Sequence, residues 1–345
     1  MKEAFLNILL FIVSTLVMLL LCEAVFRLYY SFRSNLSTQP DVEMGWIVRP
    51  DTHLKSSRTD YSGKPYDCVY TTDDKGFRKY GNPASDRYKV LFIGDSFTQA
   101  EEVSSDSTYY AVAGRHAPIE VFGIGVGAFG TLQESMLLKR IIADVRPNLV
   151  VLQFTSNDFI NNCYELENRS IQNCGTTRPY LNMQDKIEYR FPKDHARLRE
   201  FANNHSRMLF FLINRLDAWQ RKPDQFTLPD YRGAVIKTGY AIERIKRICA
   251  SQHSDLVSFM VERGNGIEHR LYQRLMQTHR VPVLADVPAL IETAEKSGLC
   301  CRAADGGHWN NAGHRICGQA LAAKIQEKLK NESAVTASQI ALFWP

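Results

Sequence analysis

The chain has 345 residues, 45% hydrophobic and 23% charged, ordinary usage for a globular protein with one large core or two smaller ones. Its net charge of +5 is spread along the chain without a Lys/Arg block. That argues against the concentrated basic face of a nucleic-acid binder, and no nucleic-acid partner is expected.

Ala4 to Cys22 is an apolar run interrupted only by Asn7, Ser14 and Thr15. It is long enough for one transmembrane helix, which needs roughly 20 apolar residues. The rival reading, a cleaved signal peptide, wants small residues at its cleavage site; Leu20, Leu21, Cys22 and Glu23 supply none before Ala24. The expected reading is an uncleaved anchor with its flank, residues 1–30. Only Lys2 precedes the span, whereas Arg27 and Arg33 follow it. Taken literally, the positive-inside rule puts the domain in the cytoplasm.

Residues 31–86 hold Pro40, Pro50, Pro65 and Pro83 among polar residues. They read as a linker and an irregular lead-in, with one short strand at Cys68–Thr72. Five apolar, β-branched runs follow: Tyr88–Gly94, Ile119–Phe122, Leu149–Phe154, Leu256–Val261 and Val281–Ala285. Runs without polar alternation suit strands covered on both faces of a parallel sheet. Helical patterns lie between and after them, at Thr131–Asp144, Tyr240–Ala250, Gly266–Thr278 and Ala312–Leu329. The alternation predicts a three-layer α/β/α sandwich on a five-stranded parallel sheet, with ligands beyond the carboxyl ends of its strands. This domain is expected over 87–330, with a tail at 331–345.

Residues 161–233 are too many for a simple connection. They predict an insertion with a helix near Ser206–Trp219, folded over the site as a lid or substrate wall. No second greasy helix for lipid capture is evident. Of eight cysteines, seven lie outside the span. Cys163 and Cys174 are near enough in sequence to close a short loop in an oxidising compartment.

Four segments at element junctions carry chemistry. The first strand ends in Gly94-Asp95-Ser96-Phe97-Thr98. Serine there is either a helix cap or a nucleophile whose N–H faces a developing oxyanion. The second strand runs into Gly123-Ile124-Gly125-Val126-Gly127-Ala128-Phe129-Gly130, where another oxyanion N–H can sit. The third ends in Thr155-Ser156-Asn157-Asp158, where Asn157 closes a turn or donates its amide to the same oxyanion. Near the C-terminus stands Asp305-Gly306-Gly307-His308. A carboxylate three residues before a histidine can hold its tautomer, so that the imidazole serves as general base to a serine.

Two other readings use the same stretches. Residues 125–130 fit G-x-G-x-x-G, but Asp144, at the right distance for a ribose, lies inside a helical pattern. Cys300, Cys301, His308, His314 and Cys317 are close in sequence but contain no compact C-x-x-C pair. Neither a cofactor nor a metal is expected.

Taken together, the four segments resemble the SGNH (GDSL) hydrolase family, from about Gly45 to Leu329. Gly45-Trp46 and Gly76-Phe77-Arg78 are similar to the lead-in of its membrane-anchored members. The resemblance implies the flavodoxin-like SGNH fold and no cofactor. It gives Ser96 as nucleophile, His308 as base and Asp305 as its orienter, with Ser96, Gly125 and Asn157 forming the oxyanion hole. Gly123 stands where the family often has asparagine, and Ser156 where glycine is frequent. The implied function is a serine esterase on acyl esters, with O-acetyl groups of a surface carbohydrate preferred to lipid. An O-acyltransferase using the same acyl-enzyme and a non-catalytic carbohydrate-binding protein are the alternatives. The resemblance places the domain outside the cytoplasm, against the Lys/Arg flanks.

Overall fold

A computed structural model describes residues 2–33, 37–171, 175–192, 195–220, 224–262 and 266–343. Cys174, and with it the short-loop pairing to Cys163, lies outside them. The chain opens with α1 (Lys2–Arg33). Two antiparallel hairpins follow: β1 (Thr38–Asp41) with β2 (Gly45–Val48), and β3 (His53–Thr59) with β4 (Pro65–Thr71). Next come β5 (Tyr88–Gly94), α2 (Ser96–Gln99), α3 (Tyr109–His116), β6 (Ile119–Gly125), α4 (Thr131–Val145), β7 (Leu149–Phe154), α5 (Asn157–Asn161) and α6 (Tyr164–Glu167). The insertion contributes the hairpin β8 (Arg178–Leu181) and β9 (Ile187–Arg190), then α7 (Ala196–His205) and α8 (Arg207–Gln220). The chain closes with α9 (Tyr231–Ser251), β10 (Asp255–Met260), α10 (Ile267–His279), α11 (Val287–Lys296) and α12 (Asn311–Phe343).

The central sheet is parallel, in the order β10-β7-β5-β6. Its strands have no polar face to give to water. Val90 and Phe92 of β5 pack with α3, α11 and α12, while Leu91 and Ile93 pack with α4 and α9 on the other side. The result is the expected three-layer sandwich. From β5 the chain goes to the edge strand β6 and returns past β5 to β7. The topological reversal, where ligands bind in such sheets, thus falls at the carboxyl ends of β5 and β7.

Three expectations change. The fifth strand shrinks to one parallel bridge between Val283 and Ser258, held by Ser258 N–H to the Pro282 carbonyl (2.9 Å) and Leu284 N–H to the Ser258 carbonyl (2.8 Å). Pro282 has no N–H to extend the ladder, and Asp286 already caps α11. The lead-in is two hairpins. Its prolines fit because a two-stranded ribbon has edge positions that need no N–H: Pro40 pairs with Trp46, and Pro65 opens β4. Finally, α12 continues past Leu329 to Phe343.

Within α1, Glu3–Tyr30 is long and apolar enough to cross a membrane. Its side chains from Glu3 to Leu21 are exposed.

Candidate active site

The Ser96 turn is built by β5 running straight into the four-residue α2. Asp95, wholly buried, caps that helix by accepting from Phe97 N–H (3.1 Å) and also accepts from the Thr155 hydroxyl (2.7 Å). Burial pushes the Asp95 carboxyl up from its ordinary value, against the pull of these hydrogen bonds. Ser96 follows at the start of α2, and its backbone N–H finds no partner among the described residues.

Ser96 Oγ lies 2.9 Å from His308 Nε2. On the other side of the ring, Nδ1 meets Asp305 Oδ2 in a short hydrogen bond. Asp305 Oδ1 accepts from the N–H groups of Gly307 (3.0 Å) and His308 (3.1 Å), so one carboxylate fixes both the turn and the imidazole. Phe97 packs against the His308 ring at 5.1 Å and against the buried Trp309 at 4.9 Å. The structure therefore brings together the three residues expected to form the triad.

A second carboxylate faces the same imidazole. Glu102 Oε1 is 3.9 Å from His308 Nδ1, and its side chain is less exposed (19%) than that of Asp305 (47%). Burial of the His308 ring disfavours its charge, but Glu102 first and Asp305 next outweigh this and hold the pKa above the ordinary histidine value. Burial raises Glu102 itself, while Asp305, despite burial, is lowered by its hydrogen bond and charge interaction with His308. Glu102 was missed at the sequence level. The available sign was a pair of acids, Glu101-Glu102, just downstream of the nucleophile turn.

The oxyanion side departs from expectation. Gly125 does not line the cavity above Ser96; Ala128 does. Gly123 N–H donates to the Lys79 carbonyl and Val126 N–H to the Gly94 carbonyl of β5. By strand alternation the Gly125 N–H points to the outer edge, away from β5 and Ser96. Gly125 is instead a packing glycine: a Cβ there would lie 2.5 Å from Thr98 Cβ and 2.6 Å from the Asp95 carbonyl oxygen. The Gly127 N–H is taken by Gln99 Oε1, and its carbonyl by Trp46 Nε1 (3.0 Å). Ala128, at φ +61°, follows with an N–H that has no partner among the described residues. Asn157 lines the cavity, with its Oδ1 against the Thr155 hydroxyl oxygen.

The cavity, about 1020 Å³, is bounded by Tyr61 and Ser62 from the β3–β4 hairpin and by the Gly298–Arg302 loop. These walls hold each other: Tyr61 N–H donates to the Arg302 carbonyl (3.0 Å) and Ala304 N–H to the Thr59 carbonyl (3.1 Å). No described residue of 161–233 lines the cavity. The described residues of the insertion therefore do not form the expected lid, and the β3–β4 hairpin, within the segment read as a linker, supplies part of the wall. Glu262, at the end of β10, closes the floor by accepting from Ser156 Oγ (2.7 Å).

Arg78, in the Gly76-Phe77-Arg78 lead-in, is buried beneath the loop that carries Glu102. Its guanidinium donates to the carbonyls of Gln99, Ala100 (2.7 Å) and Val103 (2.9 Å).

The two rival readings fare differently in space from the triad. The glycine-rich loop spends the Gly127 N–H and carbonyl on Gln99 and Trp46, and Asp144 pairs with Lys75 at 3.0 Å on the surface. His314 is buried, stacked on Tyr109, and takes the Tyr109 N–H on Nδ1 (3.3 Å). Desolvation pushes its pKa down to about 3, so it is neutral. Among the described residues, the ligating atoms that do converge, within 4.8 Å, belong to Glu102, Asp305 and His308.

No family model matches the chain, and no curated protein sequence matches it. Solved structures do. A lipolytic protein of the G-D-S-L family from Desulfitobacterium hafniense aligns at 12% identity over 69% of this chain and 99% of its own, with a TM-score of 0.38. The psychrotrophic esterase EstA from Pseudoalteromonas aligns at 8% identity over 70% and 99%, with a TM-score of 0.41. An acetylxylan esterase from Geobacillus stearothermophilus aligns at 12% identity over 70% and 94%, with a TM-score of 0.38.

Proposed function

We propose that the protein is a serine esterase of the SGNH type. The observation that carries this is the continuous relay from Ser96 Oγ to His308 Nε2 at 2.9 Å and from His308 Nδ1 to Asp305. His308 takes the Ser96 proton as Oγ attacks an ester carbonyl, giving an acyl-enzyme and releasing the alcohol. Water, deprotonated by the same imidazole, then releases the acid. The oxyanion is received by the backbone N–H groups of Ser96 and Ala128 and by the Asn157 amide. The amide nitrogen is the end of Asn157 that has protons to donate. Water as acceptor fits a site whose Asp305 side chain is 47% exposed.

A carbohydrate O-acyl ester is the preferred substrate. Tyr61 stands 69% exposed at the rim, a flat surface for a sugar face, and Arg302, Glu262 and Asn157 offer polar groups in the walls. A lipid chain would want a continuous apolar channel. We read α1 as a retained anchor, because Phe26 and Tyr30 pack onto α8 as part of the folded chain. A surface carbohydrate as substrate would be met by a domain outside the cytoplasm, against the Lys/Arg flanks of the span.

The test is turnover of p-nitrophenyl acetate and of an acetylated oligosaccharide by the full chain beside Ser96→Ala. Release of acetate by the wild type, lost in the variant, is expected. Equal activity in both would remove Ser96 as nucleophile.

A further inference from the structure

No described residue of 161–233 lines the active-site cavity, so α7 and α8 are open to another purpose. On α8, Leu212, Leu216 and Trp219 are 47%, 57% and 84% exposed. They stand at i, i+4 and i+7, a single stripe along one side of the helix. Another side is engaged with α1: the Phe211 ring is 4.7 Å from that of Phe26, and the Phe210 ring 5.7 Å from that of Tyr30.

The start of α8 is fastened to α1 more tightly still. The Glu23 carboxylate accepts from Ser206 Oγ (2.9 Å), from the N–H of Arg207 (3.0 Å) and from the N–H of Met208 (3.1 Å). It thereby caps α8 from a distant part of the chain and satisfies donors that a helix start leaves open. Arg27 Nε pairs with the same carboxylate at 2.8 Å, and its guanidinium also donates to the His205 carbonyl at 2.8 Å.

This contact sets a depth. The apolar run from Ala4 to Cys22 covers about 28 Å as a helix, at about 1.5 Å per residue. The hydrocarbon layer is about 30 Å thick. Glu23 is the first charged residue beyond the run and so stands at the edge of that layer, bringing the first turn of α8 to the same level. Arg207 lies over the Tyr30 ring and Arg215 over the Phe211 ring, at 5.8 and 5.2 Å. Arg207, at the turn that Glu23 fastens, thus carries a cation near the edge of that layer.

We propose that α8 is an interfacial helix, lying on the bilayer that α1 crosses, with Leu212, Leu216 and Trp219 sunk into the boundary between headgroups and acyl chains of anionic phospholipid. The apolar stripe supplies burial, the arginines supply attraction to phosphate, and Glu23 joins the helix to the span. The domain is then held at a fixed attitude to the membrane. The inference rests on reading α1 as a membrane span.

The full chain, reconstituted in phosphatidylethanolamine–phosphatidylglycerol vesicles with and without acyl-brominated phospholipid, tests it. The fluorescence of wild type minus that of Trp219→Phe isolates Trp219. Blue-shifted emission, quenched by the bromines and shielded from aqueous iodide, is the expected result. Leu212→Gln with Leu216→Gln should at least halve the bromine quenching. Water-like emission quenched by iodide would overturn the proposal. So would a Trp219 shielded from both quenchers, which would mean that a second copy or another protein covers the stripe. Alkaline washing of the same vesicles reads the anchor separately. Loss of the protein would remove the span and the proposal with it, whereas retention with an iodide-quenched Trp219 would remove the α8 assignment alone.

Discussion

His308 decides how the site responds to pH. In its proposed role as general base it must be neutral, and the carboxylates of Glu102 and Asp305 hold its pKa above the ordinary value of about 6.5 despite burial. Activity is therefore expected to fall as pH drops, with a midpoint above that value. Glu102→Gln removes one stabilising charge and should move the midpoint to lower pH; a profile of kcat/KM against pH for both proteins reads this. The two carboxylates also overlap in holding the ring. Asp305→Asn alone is expected to cost less than the about 10⁴-fold loss seen when a sole triad carboxylate is neutralised. Adding Glu102→Gln should deepen the loss by more than the product of the two single effects, which a double-mutant cycle on kcat tests. Asn157→Ala should lower kcat by about 10²–10³-fold if its amide serves the oxyanion. The triad itself was legible in the chain because each member lies in a short block whose local geometry is encoded nearby: a strand end, a turn, a helix start. Glu102 was not, because its role depends on meeting a histidine from the far end of the chain.

At the level of elements, the glycine-rich turn after β6 matters more for its packing than for its glycines as a ligand cradle. Gly125→Ala would force a methyl group against Thr98 and the Asp95 carbonyl. It is expected to destabilise the fold by about 1–3 kcal/mol and to lower kcat by displacing Ser96, measured by denaturant unfolding alongside turnover. Arg78 ties the loop over 99–103 to β6, whose Gly123 carbonyl accepts its N–H. Arg78→Ala strands several buried carbonyls and should cost about 3 kcal/mol, with Arg78→Lys recovering only part because an ammonium lacks the planar fork. Periodicity located β5, β6, β7 and β10 well, since strands buried on both faces show as unbroken apolar runs. It over-read residues 281–285, where Pro282 limits pairing to one bridge. It under-read the lead-in, because two-stranded hairpins with exposed faces, such as β3, leave little hydrophobic pattern.

Across the whole molecule, no described residue of 161–233 lines the active-site cavity, and α8 packs instead against α1. The cavity wall comes from the β3–β4 hairpin and the Gly298–Arg302 loop, which clasp each other through Tyr61 and Arg302. Tyr61→Ala is expected to raise KM for an oligosaccharide ester while leaving hydrolysis of p-nitrophenyl acetate nearly unchanged, if the ring is a sugar platform; steady-state kinetics on both substrates check it.

By itself, the chain's sequence determined a parallel α/β domain, a membrane-length apolar helix, and the blocks holding Ser96, Asn157, Asp305 and His308. All of these rest on interactions between near neighbours: strand alternation, helix caps, turn residues and a continuous apolar span. Tertiary structure alone decided that Ala128 rather than Gly125 lines the cavity with Ser96, that Glu102 joins Asp305 at His308, and that Glu23 caps a helix beginning at Arg207. Those outcomes depend on which distant segments meet, and a distant contact between ordinary polar residues leaves no period or local motif in either segment.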